Sequence, residues 1–270
     1  MKFTNNIKSY AIIIGVWCII FIFLAYNFFL KTKYSETSRI SYNLIKVKQN
    51  QKFGVINLFG KEIINPQFDE IYFMPDDNMF VVKKNNRYGF INKKGIIISS
   101  PKYERVHFSF REGLMSVMKD GKWGVINKEG NLIIACKFQM INSFSEGLAA
   151  VAVDNKWGFI NKRGDFIIEP QFQMVDSFSE GLAAVAINNK WGFINKRGDF
   201  VIDPQFQMVN SFSEGLAAVA IDNKWGFINK KGVITISRKY DRAMFFKKGI
   251  AKVEIKGKLL YINKQGQLIY

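Results

Sequence analysis

Lys156-Trp157-Gly158-Phe159-Ile160-Asn161-Lys162 decides the fold, because the same seven residues return at 190–196 and again at 224–230. Aligned on the aromatic, related copies stand at Phe53, Tyr88, Trp123, Trp157, Trp191 and Trp225, with a degenerate one at Leu259. The steps are 35, 35, 34, 34, 34 and 34 residues, so seven copies fill the chain from about residue 43 to its end. A fixed period of this length means repeated units, each burying its apolar face against its neighbours.

Working outward from Trp157, residues 148–153 (Leu-Ala-Ala-Val-Ala-Val) read as a strand, though the alanines make it weak on propensity. Asp154-Asn155 tolerates the positive φ that a two-residue type I′ hairpin needs at both central positions. Residues 156–161 form the return strand. Lys162-Arg163-Gly164 then reads as a type I turn closed by a left-handed glycine, with Asn161 ahead of it. A third strand, 165–169, is expected to stop at Pro170, which has no N–H for a central ladder. A connector follows with an aromatic (Phe68, Tyr103, Phe138, Phe172, Phe206, Tyr240) and, in the middle copies, Phe-Ser-Glu-Gly. Each unit is thus expected to be a three-stranded antiparallel meander. Gly158, Gly192 and Gly226 sit in mid-strand, where a glycine implies a close approach; a ring or backbone of the neighbouring repeat is expected there. Trp123, Trp157, Trp191 and Trp225 are read as core anchors of the repeat.

These residues resemble the WG-repeat family of bacterial proteins. The resemblance rests on Gly-Leu-Ala-x-Val, Lys-Trp-Gly-Phe-Ile-Asn and Pro-Gln-Phe together, and covers roughly residues 43–270. It implies tandem β-repeats with binding or scaffolding roles and says little about activity. The ends depart from the pattern: Phe53 replaces the tryptophan, and Leu259-Leu260 replaces the whole Trp-Gly pair, as terminal caps do. The expected fold is all-β: seven three-stranded repeats in an open, curved, solenoid-like array, preceded by one transmembrane helix. The alternative is a seven-bladed β-propeller. Thirty-four residues is short for a four-stranded blade, and near-identical copies suit an array that tolerates an added unit.

Composition agrees with an extensive apolar core, at 48% hydrophobic and 15% aromatic residues. The formal net charge is +17; the first 33 residues contribute Lys2, Lys8, Lys31 and Lys33, so most of the excess falls on the repeats. Such a surface favours anionic partners. Residues 10–30 carry no charge, and as a helix they would span roughly 30 Å, the thickness of a bilayer core. The run is longer than a signal-peptide core and lacks a small-x-small cleavage site, so an uncleaved anchor is expected. The expected organisation is a basic head at 1–9, a membrane helix at 10–30, a linker at 31–42 and the repeats at 43–270. A short head before a long tail places the N-terminus in the cytoplasm and the repeats outside.

No catalytic, cofactor or metal constellation is visible. His107 is the single histidine, and a partly buried structural role suits its place beside Phe108. Cys18 and Cys136 set up no disulfide framework, and Cys136 stands where other repeats have proline. No enzyme activity and no cofactor are expected. The repeated chemistry is basic. Lys122, Lys156, Lys190 and Lys224 precede the aromatic, while Lys162, Lys196 and Lys230 follow the asparagine, so a regular array aligns them in columns. Glu112, Glu146, Glu180 and Glu214 recur at one position, where acids can bond backbone amides or basic neighbours. The function expected is a membrane-anchored binding or scaffold module for an envelope component, a partner protein or an acidic polymer. Polyanion or nucleic-acid binding through the columns and a purely structural surface role are the alternatives, and exterior repeats make nucleic acid the weaker of the partners. The sequence does not set an oligomeric state.

Overall fold

The structure is a computed structural model and describes residues 28–269. It divides into two compact units, up to Tyr103 and from Glu104 onward. The membrane helix expected over 10–30 lies outside the described residues except for 28–30, which belong to a helical stretch at 28–33. Among the described residues no helix is long and apolar enough to cross a membrane.

Every repeat is a separate antiparallel sheet, and no strand pairs into another repeat's sheet among the described residues. Six sheets have four strands and the last has three. The expectation of three-stranded units is therefore corrected. In the repeat of Trp157 the strands are Met140–Ile141, Leu148–Val153, Lys156–Asn161 and Phe166–Phe172. The extra strand is two residues long, with Met140 opposite Ala152 and Ile141 opposite Val151. So short a strand shows no alternation, which hid it in the connector. It also fits four strands into a 34-residue period.

The third expected strand does not stop at Pro170 but runs through it to Phe172. Register jumps from Trp157 opposite Phe172 to Phe159 opposite Ile168, so the strand bulges at 169–171 and the proline needs no ladder bond there. The bulge also explains the mid-strand glycine, and corrects where its close neighbour comes from. A Cβ built on Gly192 would stand 2.5 Å from the Ile202 carbonyl oxygen and 2.7 Å from the Pro204 nitrogen. That backbone belongs to the glycine's own sheet, not to the next repeat.

Alternation supplies the core in the second unit. Ala149, Val151 and Ile160 face Val125, Ile134 and Phe138 of the sheet before. Leu148, Ala150 and Phe159 face Ala183, Val185 and Ile194 of the sheet after. Burial on both faces holds an alanine strand that propensity alone would not, and the small side chains leave room for Phe159 to meet Phe178 edge-on at 4.9 Å. Each fully buried phenylalanine of this kind contributes about 1.5–3 kcal/mol of transfer free energy.

The first unit holds two sheets. The first sheet begins with Glu36–Ser41, inside the stretch read as a linker, and continues with Leu44–Gln49, Lys52–Asn57 and Glu62–Phe68. One face packs Leu44, Val55 and Ile64 against Phe80, Val82 and Ile91 of the second sheet. The other face is covered by Leu30 and Tyr34, which are buried with Val47 and Ile56. Lys33 reaches Glu62 at 3.0 Å and fixes the end of the helical stretch there. At the far end of the chain, the last sheet leaves Leu259, Tyr261 and Leu268 exposed.

Candidate functional site

The two ends of each strand pair use lysine differently. At the turn end, Asn161 organises the chain: its side-chain oxygen accepts hydrogen bonds from Arg163 N at 2.8 Å and Asp165 N at 3.1 Å, and Gly164 takes φ +88°. This turn presents Lys162, whose ammonium pairs with Glu112 at 2.9 Å. The pattern repeats as Lys196 with Glu146 at 3.1 Å, Lys230 with Glu180 at 3.2 Å and Lys264 with Glu214 at 3.2 Å. Lys196 and Lys230 also donate to the backbone oxygens of Glu146 and Glu180, at 2.9 Å each.

Each glutamate is fixed in its own right. Ser145 and Leu148 exchange backbone bonds at 2.9 and 3.2 Å, so Glu146-Gly147 is a tight turn that the sequence reading left as connector. Glu146 takes φ 55°, a left-handed conformation that costs a residue with a Cβ about 1–2 kcal/mol. Its carboxylate accepts Gly181 N of the next repeat at 3.0 Å; Glu180 does the same for Gly215 and Glu214 for Gly249, each at 2.9 Å. The Gly249 N–H, then Lys264, holds the Glu214 carboxyl below its ordinary range despite some burial. Every glutamate therefore ties its repeat to the following one through an amide and to a later turn through a lysine. Lys162, Lys196 and Lys230 are partnered.

At the hairpin end the type I′ geometry expected for 154–155 is present, with φ 47° at Asp154 and 59° at Asn155. The residue after the connector aromatic reaches back to this hairpin. Asp69 accepts Asn85 N at 2.8 Å and pairs with Lys52. Asp241 accepts Lys256 N at 2.6 Å and pairs with Lys224 at 2.5 Å, and Lys224 first, then the amide, holds its carboxyl low. In the middle repeats glutamine takes the place of the acid. Gln139 accepts Asn155 N at 3.1 Å and Gln173 accepts Asn189 N at 2.9 Å. The amide serves the turn but brings no charge. Lys122, Lys156 and Lys190 are exposed and have no acidic partner among the described residues, whereas Lys224 has one. Met140, Met174 and Met208, each next to its glutamine in sequence, are exposed as well. Sequence reasoning grouped all four hairpin lysines; the glutamine-for-acid exchange was the signal that separates three of them.

Trp157, Trp191 and Trp225 are half-buried and pack against their sheets' cores, and Trp123 does so in its own. The His107 and Trp123 rings meet at 4.9 Å, tilted by 48°, and burial lowers the histidine's pKa. Burial pushes the Cys136 thiol up. Among the described residues no three histidine, cysteine or acidic side chains stand close enough to hold a metal ion.

The fold has relatives of low identity. A eukaryotic initiation factor is 12% identical over 86% of this chain and 73% of its own, with a TM-score of 0.57, and at that identity the likeness speaks to the fold alone. Kluyveromyces lactis Hsv2 (11% identity, 73% of this chain, 74% of its own, TM-score 0.45) is more distant. So is the extracellular domain of a putative one component system from B. thetaiotaomicron (12%, 88%, 44%, TM-score 0.40). No curated protein matches the chain. The WG containing repeat matches six times in succession, at 53–88, 88–123, 123–157, 157–191, 191–225 and 225–258. With matches running from Phe53 to Lys258, the chain belongs to the family of proteins built from the WG containing repeat.

Proposed function

We propose that the protein is a non-enzymatic binding module whose middle repeats take up an acidic, partly apolar segment of a partner protein along their hairpin end. The observation that carries this reading is the row of Lys122, Lys156 and Lys190 without acidic partners among the described residues, where Lys52 and Lys224 at the same repeat position, and Lys162, Lys196, Lys230 and Lys264 at the turn end, are paired. Packed sheets stand about 10 Å apart, so successive lysines offer charge at that spacing to an extended chain. Exposed methionines adapt to apolar side chains and add contact area beside the charges. A bare polymer of charge would use the lysines and leave the methionines idle.

The uncharged run at 10–30 supports a further part of the reading: the module is held on a membrane by one helix, with head 1–9 inside and the repeats outside.

Titration of the full chain with an acidic peptide alternating glutamate and leucine, and with polyglutamate, tests the reading. The mixed peptide should bind more tightly, and Lys122→Gln/Lys156→Gln/Lys190→Gln should weaken both by at least tenfold. Equal binding by that variant removes the proposed surface. Tighter binding of polyglutamate makes the ligand a polyanion instead.

A further inference from the structure

A concave site of the opposite electrostatic character stands independently of the lysine row. It lies in the second unit, at the loops that follow the two-residue strands Met174–Val175 and Met208–Val209. The cavity measures about 470 Å³, and its wall includes Asp176, Ser179, Asn210, Ser211, Ser213 and Phe245. No lysine or arginine lines it, in a chain of formal charge +17.

The hydrogen bonds show what is left to offer a ligand. Ser179 Oγ donates to Phe212 O at 2.8 Å, and Ser213 Oγ donates to Phe246 O at 2.7 Å. Asn210 Nδ2 donates to Ala243 O at 3.1 Å, and Ser211 Oγ donates to Asp176 Oδ2 at 3.3 Å. These three hydroxyl hydrogens and one Asn210 N–H are spent within the protein. The remaining capacity is the lone pairs of the hydroxyls, the Asn210 side-chain oxygen and the Asp176 carboxylate, against two donors, the second Asn210 N–H and the Ser177 hydroxyl, so acceptors outnumber donors. Asp176 has Ser211 as its partner and no cation among the described residues, and burial pushes its carboxyl up. Phe245, 49% exposed, adds an aromatic face.

The carboxylate is not needed for the turn. Residues 139–147, 173–181 and 207–215 are near copies, and the first and third carry Asn142 and Asn210 where the second carries Asp176. Asp176 N bonds Ala184 O at 2.9 Å, Asn142 N bonds Ala150 O at 2.8 Å and Asn210 N bonds Ala218 O at 2.8 Å, so all three backbones run alike. A charge that the fold does not require, desolvated and without a counter-ion, has its simplest use in meeting a charge brought by a ligand.

We propose that this cavity binds an organic cation, an ammonium or guanidinium group, with Asp176 as its counter-charge. The hydroxyl and amide oxygens accept its N–H groups, and Phe245 supplies a cation–π wall. A few converging polar groups in a cavity of this volume suit an amine-sized ligand or one basic side chain. The cation comes either from a free amine or from a lysine or arginine of a partner protein.

Calorimetric titration of the full chain and of Asp176→Asn tests this at physiological salt. The probes are spermidine, N-acetyl-Gly-Lys-Gly-amide, the same peptide with norleucine for lysine, and glucose. The wild type should bind spermidine or the lysine peptide and ignore the two neutral probes. Asp176→Asn should weaken that binding by at least tenfold with an unchanged melting temperature, because two neighbouring repeats already carry asparagine there. Tighter binding of spermidine assigns the site to free amines; tighter binding of the peptide assigns it to a side chain. Failure of the wild type to bind either cation, equal binding by Asp176→Asn, or equal binding of glucose overturns the proposal. The lysine-row variant retains this binding, so the two readings fail separately.

Discussion

Lys190 and Lys196 sit six residues apart in one repeat, yet they live in different chemistry. Lys196, at the turn end, pairs with Glu146 and its backbone oxygen and ties separate repeats together. Lys190, at the hairpin end, has glutamine (Gln207) seventeen residues on, where Lys224 has Asp241, and keeps its charge free of acidic partners among the described residues. A periodic basic residue is therefore neither structural nor ligand-facing by type. The acid supplied by another part of the chain decides which it becomes.

Acid should break the turn end most severely. Glu214 has a folded pKa below its ordinary value of 4.5, so its contribution to stability is present above that value and is lost as pH falls through the folded one. Burial alone would raise Glu112, but Lys162 and the Gly147 amide outweigh it and bring its carboxyl down too. Melting temperature should fall steeply as pH drops below about 4.5, and Glu112→Gln/Glu214→Gln should start lower at pH 7 and flatten that fall. An equally steep fall in the double variant would place the acid sensitivity elsewhere.

One clamp removed at neutral pH should have a smaller effect. Glu180→Ala leaves the Gly215 amide without its acceptor and Lys230 with only the backbone oxygen of residue 180, and should cost about 2 kcal/mol in denaturant unfolding. Lys230→Met removes one half-exposed arm and should cost roughly 0.5–1 kcal/mol. At the hairpin end, Lys190→Met should change stability by less than about 0.5 kcal/mol, because no acidic partner is lost. A loss at Lys190 as large as at Lys230 would erase the distinction between the two ends.

Much of the repeat was legible. The period, the Asp154-Asn155 hairpin and the asparagine turn at Asn161 follow from local residue chemistry, and the structure has them at those places. What escaped is what depends on pairing at a distance. Met140–Ile141 is too short to show alternation, and Gly158 answers a bulge ten residues further on. The Glu-Gly turn puts a glutamate at positive φ, where residue preference gives no cue. The lysine–glutamate pairs join residues fifty apart, from Glu112 to Lys162 and from Glu146 to Lys196, so no single repeat displays them. The exchange of Asp69 and Asp241 for Gln139, Gln173 and Gln207 was visible throughout, but its meaning needs the hairpin contact.

The claim that position divides the lysines is tested most directly by salt-dependent binding of the glutamate–leucine peptide to two triple variants. Lys122→Gln/Lys156→Gln/Lys190→Gln should melt like the wild type, bind at least tenfold more weakly and show a flatter dependence on salt. Lys162→Gln/Lys196→Gln/Lys230→Gln should melt at a lower temperature and keep the wild-type affinity and salt dependence while folded. Equal loss of binding in both variants, or loss confined to the second, would contradict the account.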